Sequence, residues 1–249
     1  MTRKKRFWKF SPRANQSIAK CVFGIAFAIL FVFNCYYFFL RRQASPADYI
    51  SNMLTQPADL IIQQPFYQDM VEEYLLFNLK RPSDNHIVFA GDSITQRFNT
   101  EEFFNHDHIL NRGIFSDTTV GLLNRIDVNI NNIQVEKLFL LIGYNDLKHR
   151  GDEAIIRNIL SIVNRSKAKT TYVQSLLPVG LNHKNLNARI DLINTILCEK
   201  ASEYNYVFID LNFHLKDSRG VMNPKFTRDG IHLNFAGNLL WYTTIKDFI

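Results

Sequence analysis

The stretch His86-Ile87-Val88-Phe89-Ala90-Gly91-Asp92-Ser93-Ile94-Thr95 limits what this chain can fold into more than any other. An apolar run of strand length, Ile87 to Ala90, stops at a glycine and passes directly into a helical pattern, with a serine at the junction. A strand end that feeds a helix is where open α/β sheets place their chemistry. The first N–H groups of such a helix have no partner in the helix and can bind a developing negative charge. Asp92 and Ser93 are also residue types that merely cap helices, so the rest of the chain has to decide between the two roles.

Downstream the pattern alternates. Strand-like runs at Ile87–Ala90, Ile109–Asn111, Lys137–Ile142, Thr170–Leu177 and Tyr206–Leu211 are separated by helical patterns. These helices are expected at Ile94–Phe104, Thr118–Val128, Glu153–Ser166 and Asn185–Tyr204, with a last one from Asn234 to Phe248. Strands spaced by helices of this length imply βαβ units, a central parallel sheet and helices on both faces. Upstream, Phe66, Met70, Val71, Tyr74, Leu75 and Phe77 fall near helical spacing, which predicts an amphipathic packing helix closed by Arg81-Pro82.

Charge is distributed unevenly. Residues 1–42 carry nine of the 29 basic side chains and none of the 23 acidic ones, so the remainder holds 20 basic against 23 acidic, a net of −3. The overall +6 therefore belongs to the N-terminus, and the folded part lacks the basic footprint of a nucleic-acid binder. Cys21 to Leu40 is an uncharged apolar run long enough to cross the hydrocarbon core as a helix. Seven basic residues precede it and two follow. The positive-inside bias then keeps the N-terminus in the cytoplasm and places residues 43–249 on the extracytoplasmic side. A cleaved signal peptide fits less well, because the run exceeds a usual h-region and no small-residue cleavage site follows it. The expected organisation is a cytoplasmic basic tail (1–20), a transmembrane anchor (21–40), a stalk with a packing helix (41–85) and a catalytic domain (86–249).

Of the three cysteines, Cys21 and Cys35 lie in the apolar run and only Cys198 in the remainder, so no disulfide framework and no cysteine-based zinc site is available there. His106-Asp107-His108 alternates possible metal ligands, but no third ligand is placed by the sequence.

Four short blocks stand at or just after expected strand ends: Gly91-Asp92-Ser93-Ile94-Thr95, Asn111-Arg112-Gly113, Gly143-Tyr144-Asn145-Asp146 and, before the last helix, Asp229-Gly230-Ile231-His232. Loops that follow parallel strands share one edge of the sheet, so these blocks converge. Together they hold a hydroxyl, an imidazole, a carboxylate, a glycine N–H and a side-chain amide, the components of nucleophilic acyl transfer. An acid three residues before a histidine, across a turn at Gly230, can fold back onto the imidazole. Asp229 would then orient His232, His232 would act as base and then acid, and Ser93 would attack. The N–H groups of Ser93 and Gly113 and the Asn145 amide are the candidate oxyanion donors. Asp92 reads as a local hydrogen-bonding residue and Asp146 as a brace for its loop. Arg112 and Tyr144 flank the oxyanion residues and can line the pocket or pack.

In this order the four blocks resemble those of the SGNH hydrolases, or GDSL-type esterases and lipases, whose naming Ser, Gly, Asn and His correspond to Ser93, Gly113, Asn145 and His232. The family's triad acid corresponds to Asp229. Gln174-Ser175-Leu176-Leu177-Pro178-Val179 is similar to a segment of the branch that includes platelet-activating-factor acetylhydrolases. The resemblance spans roughly Ile87 to the C-terminus. It implies a three-layer α/β/α, flavodoxin-like fold with about five parallel strands, and hydrolysis of ester-linked acyl groups without metal or cofactor. Two positions depart from the family pattern: Ile94 replaces leucine, and Ser116 stands where many relatives have a second glycine, a change that bears on the acyl pocket.

The expected protein is a membrane-anchored serine esterase acting on small acyl esters, O-acetyl groups of a cell-envelope or secreted glycan foremost. A lipid-directed lysophospholipase or thioesterase, an acyltransferase that passes the acyl group to a sugar hydroxyl, and a non-catalytic glycan-binding domain are the other readings. The intact five-residue set argues against the last of these. Partners beyond substrate and membrane, including further copies of the chain, are left open.

Overall fold

The central strands of the sheet are buried on both faces, and their sequence pattern follows from that. In the computed structural model, which describes residues 58–81 and 85–249, strand β1 (His86–Gly91) sends Val88 and Ala90 to one side and Phe89 to the other. Strand β3 (Val135–Leu141) does the same with Leu138 and Leu140 against Phe139 and Leu141. A strand covered on both faces needs apolar residues at consecutive positions, which is why Leu138 to Ile142 shows no polar alternation.

Three further strands complete the sheet: β2 (Ile109–Gly113), β4 (Thr170–Gln174) and β5 (Val207–Ile209). All neighbouring pairs are parallel and the order is β2-β1-β3-β4-β5. The chain leaves β1 first toward β2 and later returns to pair β1 with β3, so the topological switch point lies between β1 and β3. The loops after these strands carry Ser93 and Asn145.

The helices are α1 (Pro65–Leu79), α2 (Ser93–Gln96), α3 (Thr100–Phe104), α4 (Thr119–Asn129), α5 (Asp152–Arg165), α6 (Asn187–Lys200), α7 (Asn212–Leu215) and α8 (Phe235–Ile245). One face of the sheet is covered by α4, α5 and α6, through Leu122, Ile126, Ile155, Ile159, Ile190 and Ile193. The other is covered by α8 with the residues around α2 and α3, where Phe98, Trp241 and Ile245 pack on Phe89 and Phe139. Aromatic stacking runs across this face: the ring centroids of Phe98 and Trp241 are 4.2 Å apart, and those of Phe89 and Phe139 4.8 Å apart. The result is the expected three-layer α/β/α arrangement on five parallel strands.

Two elements differ from the sequence expectation. The helix expected over Ile94–Phe104 is two short helices, because the Asn111 amide donates to the carbonyls of both Thr95 and Phe98 and takes up the end of α2. Asn99 then caps α3 by accepting from the Glu102 N–H. The long helix expected over Asn185–Tyr204 is shorter, with a 3₁₀ turn at Leu181–Leu186 preceding α6. By contrast, α1 is the packing helix that the spacing of Phe66 to Phe77 predicts. It buries Tyr67, Tyr74 and Asn78, and Asn78 donates to the Asn129 carbonyl at the end of α4. The apolar run at 21–40 lies outside the described residues, and no described helix is long and apolar enough to cross a membrane.

Candidate active site

The site is assembled at the carboxyl edge of the sheet from three loops and one turn. After β1, Asp92 caps α2: its Oδ1 accepts the Ile94 N–H at 2.9 Å, and its carboxylate is fully buried. This cap sets Ser93 at the first position of the helix, with its hydroxyl free to turn outward. Ser93 Oγ lies 2.9 Å from His232 Nε2. Residues 139 apart in sequence thus meet at hydrogen-bond distance.

The turn before α8 does what the spacing predicts. Asp229 Oδ1 accepts the N–H groups of Ile231 (2.9 Å) and His232 (2.8 Å), while Oδ2 lies 2.7 Å from His232 Nδ1. One oxygen closes the turn and the other holds the ring. Gly230 takes a φ of +82°, a conformation that L side chains rarely adopt, and its Cα packs against Gly180. Partial burial opposes ionisation of Asp229, but the hydrogen bonds from the His232 ring and the two amides outweigh it and hold its pKa at about 2. An ionised carboxylate only accepts, so the proton of this contact sits on Nδ1 and leaves Nε2 as the acceptor for the Ser93 hydroxyl.

Asn145 follows β3. Its Nδ2 donates to the main-chain carbonyl of Asp117 at 2.9 Å, which fixes the amide plane and leaves the second N–H of the same nitrogen without a partner among the described residues. Gly113 has a different situation from the one expected. Its N–H is donated to Asn111 Oδ1 at 2.9 Å, and its carbonyl accepts the Tyr74 hydroxyl at 2.7 Å, so both of its main-chain groups are spent in holding the loop. A Cβ at Gly113 would fall 2.3 Å from the Gln96 nitrogen, so the close approach of α2 requires glycine here. Three residues later Ser116 has a φ of +58°, and its N–H has no partner among the described residues. Ser116 is a position at which the sequence departs from the pattern of the family it resembles, and its αL backbone is visible only in the structure.

The flanking residues fall into distinct environments. Asp146 accepts both the N–H (2.9 Å) and the hydroxyl (2.6 Å) of Thr119 and pairs with Arg150, so it ties the loop after β3 to the start of α4. Arg112 points away from the site; its guanidinium donates to Asn78 and lies over the Tyr74 ring at 4.9 Å. Tyr144 is buried in the core with its hydroxyl unpartnered among the described residues, and burial, helped by the charges of Asp92 and Asp229, pushes its pKa up to about 12. The His106 and His108 rings lie 5.2 Å apart, and the described residues contain no group of three side chains able to hold a metal.

With this geometry in place the chain can be compared with known proteins. It belongs to the GDSL-like lipase/acylhydrolase family, whose model matches residues 89–240. It is therefore an ester hydrolase of the GDSL type. Among solved structures it is similar to a provisionally described platelet activating factor from Streptococcus pneumonia, with 28% identity and a TM-score of 0.66 over 73% of this chain and 91% of that one. A GDSL-like lipase from Bacteroides thetaiotaomicron shares the fold at 20% identity and a TM-score of 0.65, over 72% of this chain and 96% of the other. An acetyl xylan esterase from Geobacillus stearothermophilus does so at 17% identity and a TM-score of 0.56, covering 66% and 94% of the two chains. No curated protein sequence matches the chain.

Proposed function

We propose that this chain is a membrane-anchored serine esterase that removes small acyl groups, O-acetyl foremost, from a cell-envelope or secreted glycan on the extracytoplasmic side. The observation that carries the chemistry is the relay of 2.9 Å from Ser93 Oγ to His232 Nε2 and 2.7 Å from His232 Nδ1 to Asp229. As Ser93 Oγ attacks the ester carbonyl, His232 Nε2 takes its proton, and Asp229 stabilises the imidazolium by charge and by its hydrogen bond. The imidazolium then protonates the departing alcohol oxygen. Water, deprotonated by the same nitrogen, attacks the acyl-enzyme and releases the acid. The oxyanion is received by the Ser93 N–H and the Asn145 amide, with the loop of residues 113–116 supplying the third donor. Ser116 N–H is the one we assign, since the amide of Gly113 is already donated. Each such donor is worth about 100- to 1,000-fold in rate.

The glycan reading rests on two supports. The apolar run of residues 21–40, with its basic flanks, would hold the domain at an envelope. A cavity of about 650 Å³ between α3 and α8 is lined by Phe103, Phe235 and Tyr242 together with the polar groups of Asn99, Glu102 and Asn238. Apolar ring faces beside a few placed polar groups suit a ring-shaped, hydroxyl-rich ligand better than an extended acyl chain.

The test uses the full chain in detergent, with p-nitrophenyl acetate and octanoate as substrates and Ser93→Ala as the control. Acetate hydrolysis that exceeds octanoate hydrolysis and falls by about 10⁴-fold or more in Ser93→Ala is expected. In cells, a C-terminal reporter that works only in the cytoplasm stays silent. Preference for octanoate would move the substrate to lipid, and a folded but inert wild type would overturn the esterase reading.

A further inference from the structure

The helix that precedes the family-matched residues reaches the candidate oxyanion loop at two points. Tyr74, buried on α1, donates its hydroxyl to the Gly113 carbonyl at 2.7 Å. Tyr67, two turns earlier on the same face, donates to Asp117 Oδ1 at 2.9 Å. The main-chain carbonyl of that same Asp117 holds the Asn145 amide at 2.9 Å. Loop 113–117 is thus clamped at both ends by one helix, and between the clamps lies Ser116 with its positive φ and unpartnered N–H.

On the far side of the loop, Arg125 Nε donates to Asp117 Oδ2 at 2.9 Å, and its terminal nitrogen donates to the carbonyls of Arg112 (2.8 Å) and Gly91 (3.2 Å). Arg125 thus ties Asp117, at one end of the loop, to the residue before Gly113 at the other. Burial raises the phenol pKa of both Tyr67 and Tyr74, so each remains a donor throughout the working pH range. A non-glycine residue in the αL region persists only where its surroundings over-determine it. These two hydrogen bonds supply part of that determination.

We infer that Tyr67 and Tyr74 of α1 are positioning residues for ester hydrolysis, holding loop 113–117 and through it Asn145 in the geometry that receives the oxyanion. The inference rests on the esterase reading above. It gives the segment before the family-matched domain a role in the rate of the reaction and not only in the attachment of the domain.

The experiment compares full-length wild type, Tyr67→Phe, Tyr74→Phe and Val71→Ala on p-nitrophenyl acetate. Active sites are counted by the stoichiometric release of p-nitrophenol from a p-nitrophenyl phosphonate, and melting temperature is measured in parallel. Phenylalanine keeps the ring and removes only the donor. The expected result is a fall of about tenfold in kcat per active site for each tyrosine variant, with KM within about twofold, because a misplaced donor weakens transition-state binding alone. Val71→Ala, which loosens the same helix without touching the loop, should lower the melting temperature and leave kcat per active site unchanged. If both tyrosine variants keep the wild-type kcat while Ser93→Ala is dead, the inference is wrong and the esterase reading stands. If Val71→Ala loses as much kcat as the tyrosine variants, general packing is responsible and the inference is likewise overturned. An inert wild type removes the esterase reading and this inference together.

Discussion

Asp92 and Ser93 are adjacent, yet they have opposite surroundings. Ser93 faces His232, whereas the Asp92 carboxylate is fully buried, with one oxygen on the Ile94 N–H and the other unpartnered among the described residues. Burial, opposed by the Ile94 N–H and reinforced by the charges of Asp117 and Asp146, raises its pKa from 3.8 to about 7. Between those two values the unfolded chain has lost the proton and the folded chain keeps it. Stability therefore falls as pH rises through that window and is level above it. Asp92→Asn preserves the acceptor for Ile94 and never ionises. Relative to wild type it should gain up to about 4 kcal/mol as pH rises from 4 to 7, at about 1.4 kcal/mol per pH unit. Melting curves across pH 4 to 8 measure this, and parallel pH profiles for the two proteins would show that Asp92 carries no such term. Asp229 shows the contrast between two acids of the site. Its pKa of about 2 keeps it ionised over the whole range, as the orienting role proposed for it requires.

At the scale of elements, the site depends on how closely β1, β2 and β3 approach at their carboxyl ends. Gly91 is registered with Gly113 on one side and Leu141 on the other, and a Cβ there would lie 2.0 Å from the Leu141 carbonyl oxygen and 2.3 Å from Thr95 Oγ1. Gly91→Ala should cost about 3 kcal/mol in urea denaturation, the upper end of overpacking penalties, because the obstacle is backbone that cannot rotate away. A change below about 0.5 kcal/mol would mean that the strands can separate at little cost. The strands, α1 and most of the later helices were legible from apolar period alone, since burial on one or two faces writes itself into the pattern. Boundaries set by side chains from distant segments were not. Asn111 ends α2 from another strand, and no local window contains that contact.

For the molecule as a whole, the Arg125–Asp117 pair is the knot between layers. Both side chains are almost fully buried, and the guanidinium joins α4, the ends of β1 and β2, and the loop that carries Asp117. Arg125→Met would leave a buried carboxylate uncompensated and two carbonyls without a donor, for an expected loss of about 3–5 kcal/mol in urea denaturation. Arg125→Lys should recover little, because one ammonium cannot reproduce the forked contacts. A loss below 1 kcal/mol in Arg125→Met would show that the layers are held by apolar packing alone.

The sequence by itself determined the α/β class, the convergence of four blocks at one sheet edge, and the Asp229–His232 turn. Each of these depends on residues close in the chain or on a period that burial imposes. Only the tertiary structure decided that the Gly113 amide is already spent, that Ser116 carries the αL backbone, and that α1 clamps the loop of residues 113–117. Those facts are hydrogen bonds between segments tens of residues apart. Residue types at such distances state which bonds are possible, and packing selects which of them form.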